Sequence, residues 1–259
     1  MMRLFHVIFC ASIEQHDNIV TMETMARILA NHNVTHTQRL MANGTQKHRY
    51  HLVYFDIKGR GEPIRLLFHY FSVPFQDDRV DAEEWPDRKE KAPMRQLPFL
   101  EVDGGKLVLC QTGAILRFLA KTFRPGFAGR SKSESAYVDM YAEGALDLFA
   151  VFGAVAMAKS DEDKLEAIES IKERLLVFLS VYSGHLKKNG NRFIVGDHLT
   201  WADLVVVFVL SAIDDIAPDL LGEYNSLIRY YYRVRELDEI EEYVRSNWIA
   251  PNVQKPEDD

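Results

Sequence analysis

Apolar and polar positions show a readable order from residue 51 onward. His51 to Phe55 is a short run rich in Val, Tyr and Phe, the composition of a strand. Gly59-Arg60-Gly61 breaks it, and Pro63 suits the first turn of a helix, where its missing N–H does no harm. Ile64, Leu67, Phe68 and Phe71 then fall at i, i+3, i+4 and i+7, which predicts a helix with one apolar face, ended by Pro74. Phe75 to Val80 reads as a second strand. Asp81 to Ala92 is charged and broken at Pro86, with Pro93 next, and reads as a loop with a short helix. Phe99 to Val102 and Lys106 to Leu109 are strands joined by Asp103-Gly104-Gly105, a hairpin turn. Gln111 to Thr122 is helical, with Ile115, Phe118 and Leu119 inward. A crossover unit followed by a hairpin predicts a mixed sheet.

Phe123 to Ser133 carries Pro125, Gly126 and Gly129 among few periodic apolar residues, so it reads as a linker. Everything beyond reads as helix. Ser135 to Ala158 is one long element. Ile168, Ile171, Leu175, Phe178 and Tyr182 mark a second amphipathic face, ended by Gly190. Thr200-Trp201-Ala202-Asp203 resembles a capping box and opens Leu204 to Leu210, seven apolar residues in a row. A helix apolar all round is a buried one, so this helix is expected at the centre of the second half. Glu223 to Arg235 and Asp238 to Arg245 complete a bundle.

With 259 residues, 47% of them hydrophobic, the chain can bury one large core or two modest ones. The organisation expected is an extension over 1–49, an α/β domain over 50–127 and an all-helical domain over 132–250. Net charge is −7, with no basic excess for nucleic acid or an anionic membrane surface. No stretch approaches the ~20 apolar residues of a membrane span. Cys10 and Cys110 are the two cysteines, too few for a disulfide framework and without the histidines of a zinc site. The first residues make a poor signal peptide, and 24–49 faintly resemble a transit peptide. The sequons Asn33-Val34-Thr35 and Asn43-Gly44-Thr45 matter only in a secreted chain. The extension is expected to be flexible, with Met41 an alternative start.

Several motifs then arrive in order. Leu52-Val53-Tyr54-Phe55-Asp56-Ile57-Lys58-Gly59-Arg60-Gly61-Glu62 is followed by Glu84-Trp85-Pro86, by Gln96-Leu97-Pro98-Phe99-Leu100-Glu101-Val102-Asp103-Gly104 and by Gln111-Thr112. Val195-Gly196-Asp197 and Thr200-Trp201-Ala202-Asp203 complete the set. Over roughly residues 50–250 this resembles the sigma class of cytosolic glutathione transferases. The resemblance implies a thioredoxin-like α/β N-terminal domain plus an all-α C-terminal helical bundle, a homodimer and a cytoplasmic location. It implies glutathione as co-substrate, a hydrophobic electrophile and no metal.

Tyr54 is the hydroxyl that such enzymes use to activate the glutathione thiol, with Arg60 in support. Leu97 precedes a proline that is cis in the family, and its backbone is expected to pair with the cysteinyl unit of glutathione like an added strand. Gln111 and Thr112 open a helix whose N-terminus would hold the γ-glutamyl carboxylate, the Thr112 hydroxyl and Gln111 amide adding donors. Trp85, Lys89 and Gln96 correspond to residues near the glycyl carboxylate. Arg95 replaces the usual glycine and either adds charge there or crowds the loop. Asp147 corresponds to the acid that reaches the partner's glutathione, while Leu146 departs from an aspartate linked to metal activation. Thr200 and Asp203 are expected to be structural. No Cys-x-x-Cys follows the first strand, which argues against dithiol redox chemistry. Phe149 to Met157, apolar throughout, matches the wall of the electrophile pocket. A general transferase, a glutathione-dependent isomerase like prostaglandin D synthase and a non-catalytic protein like the S-crystallins all remain open.

Overall fold

A computed structural model describes residues 48–257. The expectations for the leader, the sequons, Cys10 and Met41 lie outside the described residues. His48 and Arg49, the last two positions assigned to the extension, are tied to the hairpin turn. The His48 ring lies 2.7 Å from Asp103 Oδ2, and Arg49 N–H donates to Asp103 Oδ1 at 2.9 Å.

Four strands form one mixed sheet: β1 (Tyr50–Phe55), β2 (Gln76–Val80), β3 (Phe99–Val102) and β4 (Leu107–Cys110), in the order β2-β1-β3-β4. β1 runs parallel to β2 and antiparallel to β3, with Val53 opposite Phe99. The two faces follow the period of two along a strand. Tyr50 and Leu52 enter the main core, whereas Val53 joins Val80, Ala92 and Phe99 in a small cluster on the other face. The crossover between β1 and β2 is α1 (Glu62–Tyr70), with Pro63 in its first turn. α2 (Trp85–Arg88) and two 3-10 turns fill the charged segment before β3. α3 (Thr112–Phe123) follows β4 directly.

The expected linker contains a 3-10 turn, Pro125–Ala128, and buries Phe127 completely. The expected long helix is two. α4 (Lys132–Phe149) begins three residues early because the Ser131 hydroxyl accepts the Glu134 N–H at 3.1 Å. It stops where the Val151 N–H turns back to Leu148 O, a three-residue rather than four-residue closure, and α5 (Phe152–Ala156) resumes after it. α6 (Asp161–Lys188) buries Ile171, Leu175, Phe178 and Tyr182, and Gly190 beyond it stands at φ +73, the conformation expected after a helix. α7 (Trp201–Ile216) is buried along nearly its whole length and packs on α1, α3 and α4. α8 (Pro218–Gly222), unforeseen, precedes α9 (Asn225–Arg235) and α10 (Glu241–Asn247). One continuous core joins the sheet's helical face to the bundle. The last residues fold back on α7, where the Asp214 carboxylate accepts the N–H groups of Asn252 and Val253.

Candidate active site

Strand β1 ends in a loop that turns sharply at Gly59, whose φ of +42 favours glycine. The turn folds the chain back over Tyr54, the last buried residue of the strand at 6% exposure. The Tyr54 hydroxyl accepts the Arg60 N–H at 2.9 Å. Its own proton has no acceptor among the described residues. A Cβ at Gly59 would lie 2.5 Å from that hydroxyl, and one at Gly61 would lie 2.6 Å from the ring. Both glycines therefore fit the chain around the tyrosine. Burial raises the Tyr54 pKa, opposed by the Arg60 N–H bond and by the charges of Arg60 and Arg65. The phenol is consequently protonated at neutral pH and can donate.

Beside it opens a cleft of about 460 Å³, within the usual range for small-ligand sites. Arg60, Trp85, Lys89, Gln96, Leu97, Gln111 and Thr112 all line it, together with Phe55, Arg95 and Pro98. The wall carries three cations and no carboxylate, which suits an anionic ligand. Arg95 is partly neutralised by Glu90 at 2.9 Å and stands at φ +51, which accounts for glycine's suitability there. The Leu97–Pro98 peptide is cis.

The N-terminus of α3 faces this cleft through Gln111 and Thr112. No side chain caps the helix, so its first N–H groups are unclaimed by the fold. Gln111 holds φ +72, a conformation uncommon outside glycine that costs on the order of 1–3 kcal/mol. Its amide donates to Gln96 Oε1 at 2.9 Å, which joins the two sides of the cleft. The Thr112 hydroxyl was expected as a ligand donor, yet its proton is spent on Arg60 O at 3.0 Å. It ties the helix to the loop below Tyr54.

Tyr54 is not in the cleft wall and connects to it through Arg60. Asp147 is not brought to the cleft, and it lies exposed on α4. Of the apolar stretch 149–157, Phe152 and Val155 are buried, Phe149 stacks on Phe152 and Met157 is largely exposed. Among the described residues no cluster of histidine, cysteine or acid is placed to hold a metal ion. No described helix is long and apolar enough to cross a membrane.

A mixed four-stranded sheet against a helical bundle, with a cationic cleft beside a buried tyrosine, is the architecture of a thioredoxin-like domain joined to an all-helical one. Residues 51–121 match the family model "Glutathione S-transferase, N-terminal domain", and residues 146–247 match "Glutathione S-transferase, C-terminal domain". Glutathione S-transferase 1 of Ascaris suum is 38% identical over 80% of this chain and 98% of its own length. Human hematopoietic prostaglandin D synthase is 30% identical over 79% of this chain and 97% of its own. The crystal structure of the Ascaris lumbricoides glutathione S-transferase superposes with a TM-score of 0.69 at 36% identity, covering 78% of this chain and 99% of that one. The chain belongs to the glutathione S-transferase family and is an enzyme of that family.

Proposed function

We propose that this enzyme conjugates the thiolate of glutathione to hydrophobic electrophiles, and that Tyr54 activates the thiol in the manner of the sigma class. The observation that carries this reading is the Tyr54 hydroxyl: buried, fixed by the Arg60 N–H, and holding an unspent proton beside a cationic cleft. A free thiol has a pKa of roughly 8.5 and is mostly protonated at neutral pH. Lowering it by ~2 units takes ~2.7 kcal/mol of preferential thiolate stabilisation. A hydrogen bond to a charged group supplies ~1.5–3 kcal/mol, so one buried hydroxyl is nearly sufficient.

In this reading the α3 N-terminus and Gln111 hold the γ-glutamyl carboxylate, with Thr112 fixing the helix. The Leu97 backbone pairs with the cysteinyl unit, and Trp85, Lys89 and Gln96 receive the glycyl end. Asp147 serves the glutathione of the second subunit of a homodimer, which accounts for its distance from the cleft of its own chain. The thiolate attacks the electrophile's carbon, a C–S bond forms, and the leaving group departs to solvent. The apolar side chains around Phe149 and Phe152 favour a hydrophobic electrophile. A cytoplasmic location belongs to the same reading.

The test is glutathione-dependent conjugation of a generic aryl halide, with halide release measured alongside product. Turnover that saturates in glutathione is expected. Glutathione binding without turnover would overturn the general transferase. It would favour an isomerase, a reading supported by the prostaglandin D synthase relative.

Gly59→Ala tests the same site through the loop that packs on the Tyr54 hydroxyl. The added Cβ meets the Tyr54 hydroxyl at 2.5 Å from a strained φ. A forced displacement of the hydroxyl that costs the transition state ~1–3 kcal/mol predicts a roughly 5- to 150-fold fall in conjugation rate. Steady-state kinetics check it, with KM for glutathione expected to change far less than kcat.

A further inference from the structure

Glu62 and Arg65 form an ion pair inside the protein, at 1% and 0% exposure, with Arg65 Nη1 3.1 Å from Glu62 Oε2. Two charges taken out of water repay their desolvation only when their remaining donors and acceptors are also satisfied. Here they are, and by informative partners. Arg65 Nη1 donates to Ile57 O at 2.9 Å and Nη2 to Phe55 O at 3.3 Å, while Nε bridges both Asp77 oxygens at 3.1 Å. The guanidinium thus grips the carbonyls of the segment that joins Tyr54 to Arg60. It also lies 5.8 Å from the Tyr54 ring centroid.

The other oxygen of Glu62 faces the helical domain. Its Oε1 accepts the Trp248 indole N–H at 2.6 Å and the Tyr243 hydroxyl at 3.0 Å. A second tie runs parallel, with Lys58 Nζ 3.0 Å from Asp215 and 5.5 Å from the Trp248 ring centroid. An apolar pair of equal volume would often serve stability as well as a buried ion pair does. What the ion pair adds is direction: it links the C-terminal segment, through two charged groups, to the loop whose N–H fixes the Tyr54 hydroxyl.

We propose that Trp248 and Tyr243 are positioning residues for the Tyr54 hydroxyl, acting through Glu62 and Arg65 on loop 56–61, so that the C-terminal segment sets the acidity of the bound thiol. The effect on acidity rests on the reading of Tyr54 as the thiol activator. The hold on the loop does not.

Two conservative variants of the full chain test it. Trp248→Phe keeps an aromatic ring and removes the donor to Glu62. Tyr243→Phe keeps the ring that stacks on His69 at 3.9 Å and removes its hydroxyl. Hydrogen–deuterium exchange of the segment 56–61 is measured without glutathione, and the thiolate absorbance of bound glutathione is titrated against pH. Loss of one such bond is expected to speed exchange of the loop about fivefold or more. It is also expected to raise the bound thiol's pKa by about one unit, which lowers kcat roughly threefold near neutral pH and towards tenfold at more acid pH. KM for glutathione should change less than kcat, because Arg60 is the one cleft-lining residue on this loop.

Unchanged loop exchange in both variants, whatever their melting temperatures, would overturn the proposal. So would faster exchange with an unaltered thiol pKa. A wild type that leaves bound glutathione un-ionised would sink the Tyr54 reading instead, and the exchange measurement would still decide whether these residues hold the loop.

Discussion

Tyr54→Phe is expected to lower kcat/KM for conjugation by roughly 10- to 100-fold at pH values below that of the free thiol's ionisation, which corresponds to the ~1.5–3 kcal/mol of a hydrogen bond to a charged acceptor. The sign of the pH dependence separates this role from a merely structural one. Burial raises the Tyr54 pKa, so the phenol keeps its proton and acts as a donor to the thiolate, not as a base. Its help is needed only where glutathione would otherwise be protonated. Above the free thiol pKa of roughly 8.5, water alone ionises the thiol and the variant should approach the wild type.

The measurement is therefore a kcat/KM profile from acid to alkaline pH. The ascending limb should move up to about 8.5 in the variant. KM for glutathione should change little, since the groups proposed to bind its carboxylates, Lys89, Trp85 and the α3 N-terminus, remain. A variant whose profile runs parallel to the wild type at every pH would remove Tyr54 as the activator. The phenylalanine ring still fills the space against Gly61, so folding is not at issue.

The strands and helices of the first half were legible because their signals are local. The Val-, Tyr- and Phe-rich run around Val53, the proline at 63 and the Asp103-Gly104-Gly105 turn each act within a few residues. The cleft was legible only through family resemblance, since its walls come from four separated segments. Arg65 escaped notice for a physical reason. An arginine on a helix ordinarily lies in solvent, and its burial depends on Asp77 from strand β2 and on backbone carbonyls that no residue code reveals. The helix start at Lys132 was visible in Ser131-Lys132-Ser133-Glu134, a capping pattern lost inside an apparent linker. The break near Val151 lacked any marker, because the stretch is uniformly apolar and a three-residue turn there has no sequence signature. The spent proton of Thr112 depends on where the loop of β1 finally lies, which is a tertiary outcome.

Asp203→Ala is expected to cost a large share of the stability of this fold, far more than Asp147→Ala. The carboxylate is completely buried, and four donors converge on it. Oδ1 accepts Ile194 N–H at 2.8 Å and the Tyr230 hydroxyl at 2.9 Å; Oδ2 accepts Thr200 N–H at 2.8 Å and the Thr200 hydroxyl at 3.0 Å. It therefore caps α7, pins the loop before it and anchors α9. Alanine leaves all four donors buried without an acceptor, at ~1–3 kcal/mol for each that finds no water. A net cost of ~4 kcal/mol is a large share of the ~5–15 kcal/mol that holds a domain folded. At ~2–4 °C per kcal/mol for a domain of this size, the melting temperature should fall by about 8–16 °C. Asp147→Ala, on the exposed face of α4, should stay within about 0.5 kcal/mol of the wild type. Asp203→Asn should fall between, because one oxygen still accepts while the amide turns donors toward donors. Thermal melts of the three variants decide it. Equal melting temperatures for Asp203→Ala and Asp147→Ala would mean that water or a rearranged loop satisfies the four donors, and that α7 is held by its apolar faces alone.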